Sequence, residues 1–366
     1  MTVLAISMAK VAATAGADAH LPGSAGPRQT DASVPKTTKS GILGRVDLYQ
    51  QEREPLAFGV GVIKKFGDDR AGRLAALIAY YGFFSVFPAM LALVTVLGFV
   101  LQGNAKLRTS IANSALGQFP IVGSQIKDSV SHPLTGSTIA LVIGLLGAVW
   151  AGLGAMQAAQ DSINEVWDVP RTEYPNFIRK RLRSIAMLLL IVVGLAISSA
   201  VAQLAVNVVS GVVATVALFL LSIVSNVAMY LIAFHLLTVA DMTWRRVFPG
   251  AMVAGVGYTL LQAFGTIYVT HTLKGAQNTY GTFAMVIGLL SWIYLIAQLT
   301  MFAAEVNVVT ARRLWPRSLF SDAETPADER SAALVVEAAE IDTDEVVDVE
   351  FSDTAPAPPL APVTTR

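Results

Sequence analysis

The chain has 366 residues, 54% hydrophobic and only 14% charged, with a mean hydropathy of +0.58 and a formal net charge of zero. An ordinary soluble domain carries about 25% charged residues, so this composition excludes a soluble globular enzyme as the body of the protein. Neutral balance gives no electrostatic footprint for nucleic acid, and the absence of cysteine excludes disulfides and thiolate chemistry.

In chain order, residues 1–44 are rich in Ala, Gly, Pro, Ser and Thr and show no periodicity. They read as a disordered cytoplasmic tail. A cleaved leader fits poorly, because nothing basic precedes the first apolar run and Lys10 interrupts it. Residues 45–73 read as a cytoplasmic, interfacial helix. Leu56, Val60, Ile63 and Phe66 keep roughly helical spacing, and Lys64 and Lys65 are expected to face lipid headgroups. A plain soluble linker helix is the alternative.

A membrane domain follows over 74–311. About 20 apolar residues span a bilayer core, and from Ser184 to Ala240 there is no Asp, Glu, Lys or Arg. That stretch reads as two spans joined by a turn at Asn207, Ser210 and Gly211. Repeated along the chain, the reading gives an all-α integral membrane protein, a bundle of six transmembrane helices. The spans run about 74–101, 137–159, 185–208, 212–239, 248–272 and 282–304. Segment 102–136, between the first two spans, reads as one or two short helices over the outer mouth. Basic residues concentrate in alternate connections. Lys64, Lys65, Arg70, Arg73, Arg171, Arg179, Lys180, Arg181, Arg183, Arg245, Arg246, Arg312, Arg313 and Arg317 face only Lys106, Arg108, Lys127 and Lys274 on the other side. The positive-inside rule then places both termini in the cytoplasm. The last segment, 312–366, turns acidic and then proline-rich and reads as a disordered tail.

Inside span one, "AYYGFFSVFPAML" puts Pro88 in an otherwise unbroken apolar run. Proline lacks the amide hydrogen and frees the carbonyl four residues back, that of Phe84. A bilayer tolerates this where hydroxyls, water or neighbouring helices re-satisfy the carbonyl. Tyr80, Tyr81 and Ser85 supply hydroxyls there, so these residues with Pro88 form a candidate cavity. Two readings stand: a static kink, and a broken helix at a substrate site.

These residues carry a resemblance. "RLAALIAYYGFFSVFPAMLALVTVLG", "DSINEVWDVP", "WRRVFPGAMVAGVGYTLLQ" and "YGTFAMVIGLLSWIYLIAQLTMFAAEVN" are similar, in that order, to motifs of the YihY/virulence factor BrkB family. The likeness covers about residues 57–313 and leaves out both tails. It implies a six-span protein of the bacterial inner membrane with no agreed reaction. An older label for the family is ribonuclease BN. The sequence argues against a nuclease, because His20, His132, His235 and His271 are scattered and no soluble domain is present to gather metal ligands.

No nucleotide-binding, hydrolase-elbow or zinc-protease motif is present. No catalysis and no cofactor are expected. What remains are polar side chains at or near membrane depth. Gln157, Asp161 and Glu165 recur every four residues and share a face at the cytoplasmic end of span two, with Asn164 beside them. Arg179, Arg181 or Arg183 are the expected counter-charges. Glu305 lies one face-repeat before Arg312, its expected partner, and Asn307 is placed to bond across helices. His235 closes span four. An ion-pair cluster that fixes helix ends and a proton or cation gate are both compatible with this set. Gln203, Asn226, Gln262 and Gln298 are more often interhelical bonds than ligand contacts.

Two functions follow. One is transport or handling of a lipid or amphipathic envelope substrate, with membrane lipids as the partners. The other is a non-transporting envelope scaffold.

Overall fold

The computed structural model describes residues 42–100, 138–208, 211–238, 242–268, 282–319 and 325–338. The expectations for segment 102–136, residues 1–41 and the end of the acidic tail lie outside these residues. Helices α1 (Ile42–Glu52) and α2 (Glu54–Asp68) lead into the long helices α3 (Ala71–Val100) and α4 (Thr138–Val166). Next come α5 (Phe177–Val208), α6 (Val212–Leu237), α7 (Trp244–Tyr268), α8 (Thr282–Arg312) and the short α9 (Pro326–Ala338).

Among the described residues, five helices are long and apolar enough to cross a membrane, over Ala71–Ala89, Val142–Val166, Thr215–Leu237, Trp244–Gly265 and Val286–Arg312. The sequence reading expects six. The difference is α5, which is free of charge from Ser184 onward but whose side chains are described only as far as Gly194. Helices suit this setting because each satisfies its own backbone bonds without water. Their apolar side chains point all round rather than to one side, as a bundle in lipid requires. Leu146, Trp150, Leu189 and Phe264 are among many large apolar side chains left on the outside.

The long helices pack as a ring in chain order. Helix α3 lies against α4, α4 against α5, and so on to α8, which returns to α3; α4 also reaches α6 and α8. Close approach between α6 and α7 rests on Gly255, where an added Cβ would stand 2.6 Å from the Val227 backbone nitrogen. Gly211 turns α5 into α6 at φ +102°, a conformation glycine adopts freely. Of the other residues expected in that turn, Asn207 is still inside α5.

Two expectations meet the structure differently. First, of the two readings of Pro88, a static kink and a broken helix, the second is not what is seen: α3 continues through Pro88. Pro88 is half-buried and stands next to Gly147 of α4. Second, the chain after 312 is not wholly a disordered tail. Thr325, just before Pro326, accepts the Asp328 N–H and donates its own N–H to Asp328 Oδ2 at 3.1 Å, a reciprocal helix start. Proline at the first helical position suits that start. Ala327 and Leu334 then bury against the bundle.

Candidate functional site

The end of the ring that carries α1, α2 and α9 holds most of the described ion pairs. Asp328 accepts Arg317 Nε at 2.7 Å, Ser318 N at 3.0 Å and Lys64 Nζ at 3.2 Å. Burial alone would push its carboxyl up, but bonds from Arg317, Ser318 and Thr325 outweigh it and hold the pKa at about 2. Asp47 of α1 binds Leu319 N at 2.8 Å and Ser318 Oγ at 2.9 Å. Helices α1, α2 and α9 are thereby tied around the segment after α8.

Deeper in lies a second cluster. Lys65 of α2 is completely buried, contrary to the expectation that it faces headgroups. The buried face of α2 is Ala57, Gly61, Val62 and Lys65, whereas Leu56 and Ile63 point outward. Gly61 permits this seating, because a Cβ there would meet the Leu314 carbonyl oxygen at 2.8 Å. Lys65 Nζ donates to Asp69 Oδ2 at 2.5 Å, pairs with Asp168 Oδ2 at 2.9 Å and reaches the Val166 carbonyl at 3.4 Å.

Local structure explains why Asp168 is there. Helix α4 ends at Val166, and Asp168 adopts φ +51°, the left-handed conformation common after a helix end. The Val169 N–H returns to the Asn164 carbonyl, which closes the turn. Arg312 Nη2 donates to the Trp167 carbonyl at 2.9 Å, so two cations sit at the negative end of α4.

Glu305 of α8 enters the same pocket of charge. It is completely buried, and neither carboxylate oxygen meets a donor among the described residues. Its charged neighbours are Asp69, Lys65 and Asp168. The expected partnership with Arg312 is therefore corrected: that guanidinium is engaged by Trp167. Burial works against the Lys65 ammonium, yet Asp168, Asp69 and Glu305 raise its pKa overall. Burial likewise pushes Asp69 up. Lys65 opposes this and Asp168 reinforces it, leaving Asp69 at about 7. Asp168 is also raised, by burial against the pull of Lys65.

The remaining expected residues divide between two places. Asn164 is buried and donates to the Gln160 carbonyl at 2.7 Å, and Gln160 donates to Ser184 Oγ at 2.7 Å. Asn307 accepts the Gly250 N–H at 2.6 Å, across from α7. Asp161 pairs with Lys180 at 2.6 Å, where Arg179, Arg181 or Arg183 had been expected. Glu165 is exposed, Gln157 is half-buried, and Tyr174 packs nearby. His235 stacks on Trp244 at 4.1 Å. Tyr80 and Tyr81 lie on the outside of α3, edge-to-face with each other, and Tyr80 continues onto Phe84. Ser85 Oγ donates to the Gly82 carbonyl at 2.7 Å, not to that of Phe84.

Higher in the ring, four pairs of uncharged polar side chains hydrogen-bond among the described residues. Asn226 of α6 donates to Thr259 of α7 at 2.9 Å, and Tyr230 of α6 shares a hydrogen with Thr300 of α8 at 3.3 Å. Within α7 and α8, Gln262 bonds Tyr258 at 2.9 Å and Gln298 bonds Tyr294 at 2.5 Å. Among the described residues no three His, Asp or Glu side chains converge to hold a metal ion.

Sequence reasoning missed Lys65, Asp69 and Asp168. The signals were present: Lys65 and Asp69 are four apart on one helix, and Asp168 stands inside the "NEVWDVP" motif.

Comparison with known proteins gives one family model, virulence factor BrkB, matching residues 62–326. An inner membrane protein of Escherichia coli, YhjD, is 23% identical over 69% of this chain and 81% of its own. A Bacillus subtilis protein described as putative ribonuclease-like, YfkH, is 27% identical over 65% of this chain and 90% of its own. A UPF0761 membrane protein of Alcanivorax borkumensis is 24% identical over 68% of this chain and 59% of its own. No solved structure matches.

Proposed function

The chain belongs to the virulence factor BrkB family, and from that premise we propose that it handles a lipid or amphipathic envelope substrate in the bacterial inner membrane. The reading takes α5 as a sixth span and both termini as cytoplasmic, in keeping with the basic residues gathered at the end bearing α1, α2 and α9.

One observation carries it. The polar pairs of the upper ring, Asn226–Thr259, Tyr230–Thr300, Tyr258–Gln262 and Tyr294–Gln298, contain hydroxyls and amides and no charge. Such groups match the neutral, hydrogen-bonding part of an amphipath, while the surrounding apolar side chains match its tail. An ion pathway calls instead for charged or closely spaced carbonyl ligands at that depth.

The experiment is lipid translocation in proteoliposomes, with a fluorescent phospholipid in one leaflet. Faster loss of leaflet asymmetry than in protein-free vesicles supports handling. Equal rates favour the scaffold reading, which the folded platform of α1, α2 and α9 also supports.

A further inference from the structure

The cluster of largely buried side chains at the α2–α4–α8 junction holds more acid than base. Lys65 contributes one positive charge, whereas Asp69, Asp168 and Glu305 contribute three acidic groups. The other charges facing the junction do not close the gap. Asp68 turns outward to Arg317 Nη1 at 2.8 Å. Arg312 donates to the Trp167 carbonyl and its charge acts on Asp168, which still leaves two cations against three acids. Arg70 and Arg73, at the turn into α3, are exposed. The α3 residues in this core, Ala71, Leu74 and Ala75, have nothing to titrate.

Lys65 donates to Asp69 and to the Val166 carbonyl and pairs with Asp168. Neither oxygen of Glu305 meets a donor among the described residues, and both are buried. Asp69 lies against Glu305 within hydrogen-bonding reach. Two carboxylates in contact, one lacking any donor, have one economical solution: a hydrogen between them. An ionised, donorless carboxylate in this setting is strongly disfavoured, and like charges sharing a site cannot both ionise freely.

We infer that Asp69 and Glu305 form a binding site for a single exchangeable proton, held in place by Lys65 and Asp168. With the proton bound, one carboxyl donates to the other, and the two ionised acids balance Lys65 and Arg312. Release leaves one uncompensated negative charge at the junction where α2 turns into α3 and meets α8. The pKa of Asp69, at about 7, puts release within the neutral range. The site is independent of the lipid reading, since it uses none of the neutral polar pairs, although Tyr294 and Gln298 approach Gly72 nearby.

The test is infrared titration of the full chain in nanodiscs of phosphatidylethanolamine and phosphatidylglycerol. The expected result is a protonated-carboxyl stretch present on the acid side of neutrality, lost on the basic side, and shifted in heavy water. Glu305→Gln and Asp69→Asn, each checked for an unchanged amide band, should both abolish it. A wild-type protein with no titrating carboxyl stretch across neutrality overturns the site, as does a stretch that survives both substitutions. The wild-type arm needs no variant to fold, and neither arm depends on a lipid substrate.

Discussion

Asn307 on α8 accepts the backbone N–H of Gly250 on α7 at 2.6 Å, where an added Cβ at Gly250 would run into the Ala303 carbonyl and the Asn307 amide. The Ala303 carbonyl is backbone and cannot turn aside, so the helices must separate to admit a side chain. Gly250→Ala is expected to cost about 1–3 kcal/mol, the range for overpacking a closed interface. Denaturant unfolding in detergent micelles checks it; an unchanged midpoint would mean the two helices lie farther apart.

Lys65→Met keeps the volume of the side chain and removes its charge. Three buried acids then face one another, and a loss of about 3–5 kcal/mol is expected, the scale for breaking a buried pair from one side. Adding Asp168→Asn and Glu305→Gln should recover much of it, because the uncompensated charge goes with them. A triple variant no more stable than Lys65→Met would show that the lysine acts through packing alone.

Stability should peak in mildly acid solution. Asp69 rises from 3.8 to about 7 on folding, so its contribution is full below about 4 and is lost as pH climbs through about 7. Asp328 falls from 3.8 to about 2, so its contribution is present above about 4 and is lost as pH drops toward 2. Thermal unfolding against pH should show both limbs. Asp69→Asn should flatten the neutral limb and Asp328→Asn the acid one.

Ser85→Ala should cost about 0.6 kcal/mol, the average for a polar bond within membrane bundles. Because Ser85 serves the Gly82 carbonyl, its effect should add to that of Pro88→Ala within about 0.5 kcal/mol. Strong coupling between the two would mean that the hydroxyl does reach the Phe84 carbonyl.

Much of the architecture was legible because length and hydropathy are long-range signals. The spans expected over 74–101, 212–239 and 282–304 begin within a few residues of α3, α6 and α8. Helix α9 was hidden by composition. The acidic, alanine-rich surroundings suggested disorder, yet "TPAD" is a short capping signal, and Asp328 gains Arg317 and Lys64 only through the tertiary fold. The charge cluster was hidden by separation. Asp168 and Lys65 are about a hundred positions apart, and a lysine next to a presumed interface looks like a headgroup contact until α4 and α8 close over it. Glu305 and Asn307 were visible as polar residues near a span end, but their partners on α2 and α7 were not.

The orientation assigned to the protein can be read directly, since the chain contains no native cysteine. Cysteines placed at Lys106 and Lys127 should react with an impermeant reagent in intact cells, and one at Arg181 should not. The reverse pattern would invert the protein in the membrane.

Native mass spectrometry of the detergent-purified protein tests the central claim most directly. If the neutral polar pairs of the ring receive an amphipath, the wild-type protein should carry a lipid-mass adduct that resists collisional removal. Gln298→Ala and Gln262→Ala should each lower the retained fraction while leaving the folded protein in place. A wild-type protein that appears bare, or adducts retained equally by both variants, would contradict the account.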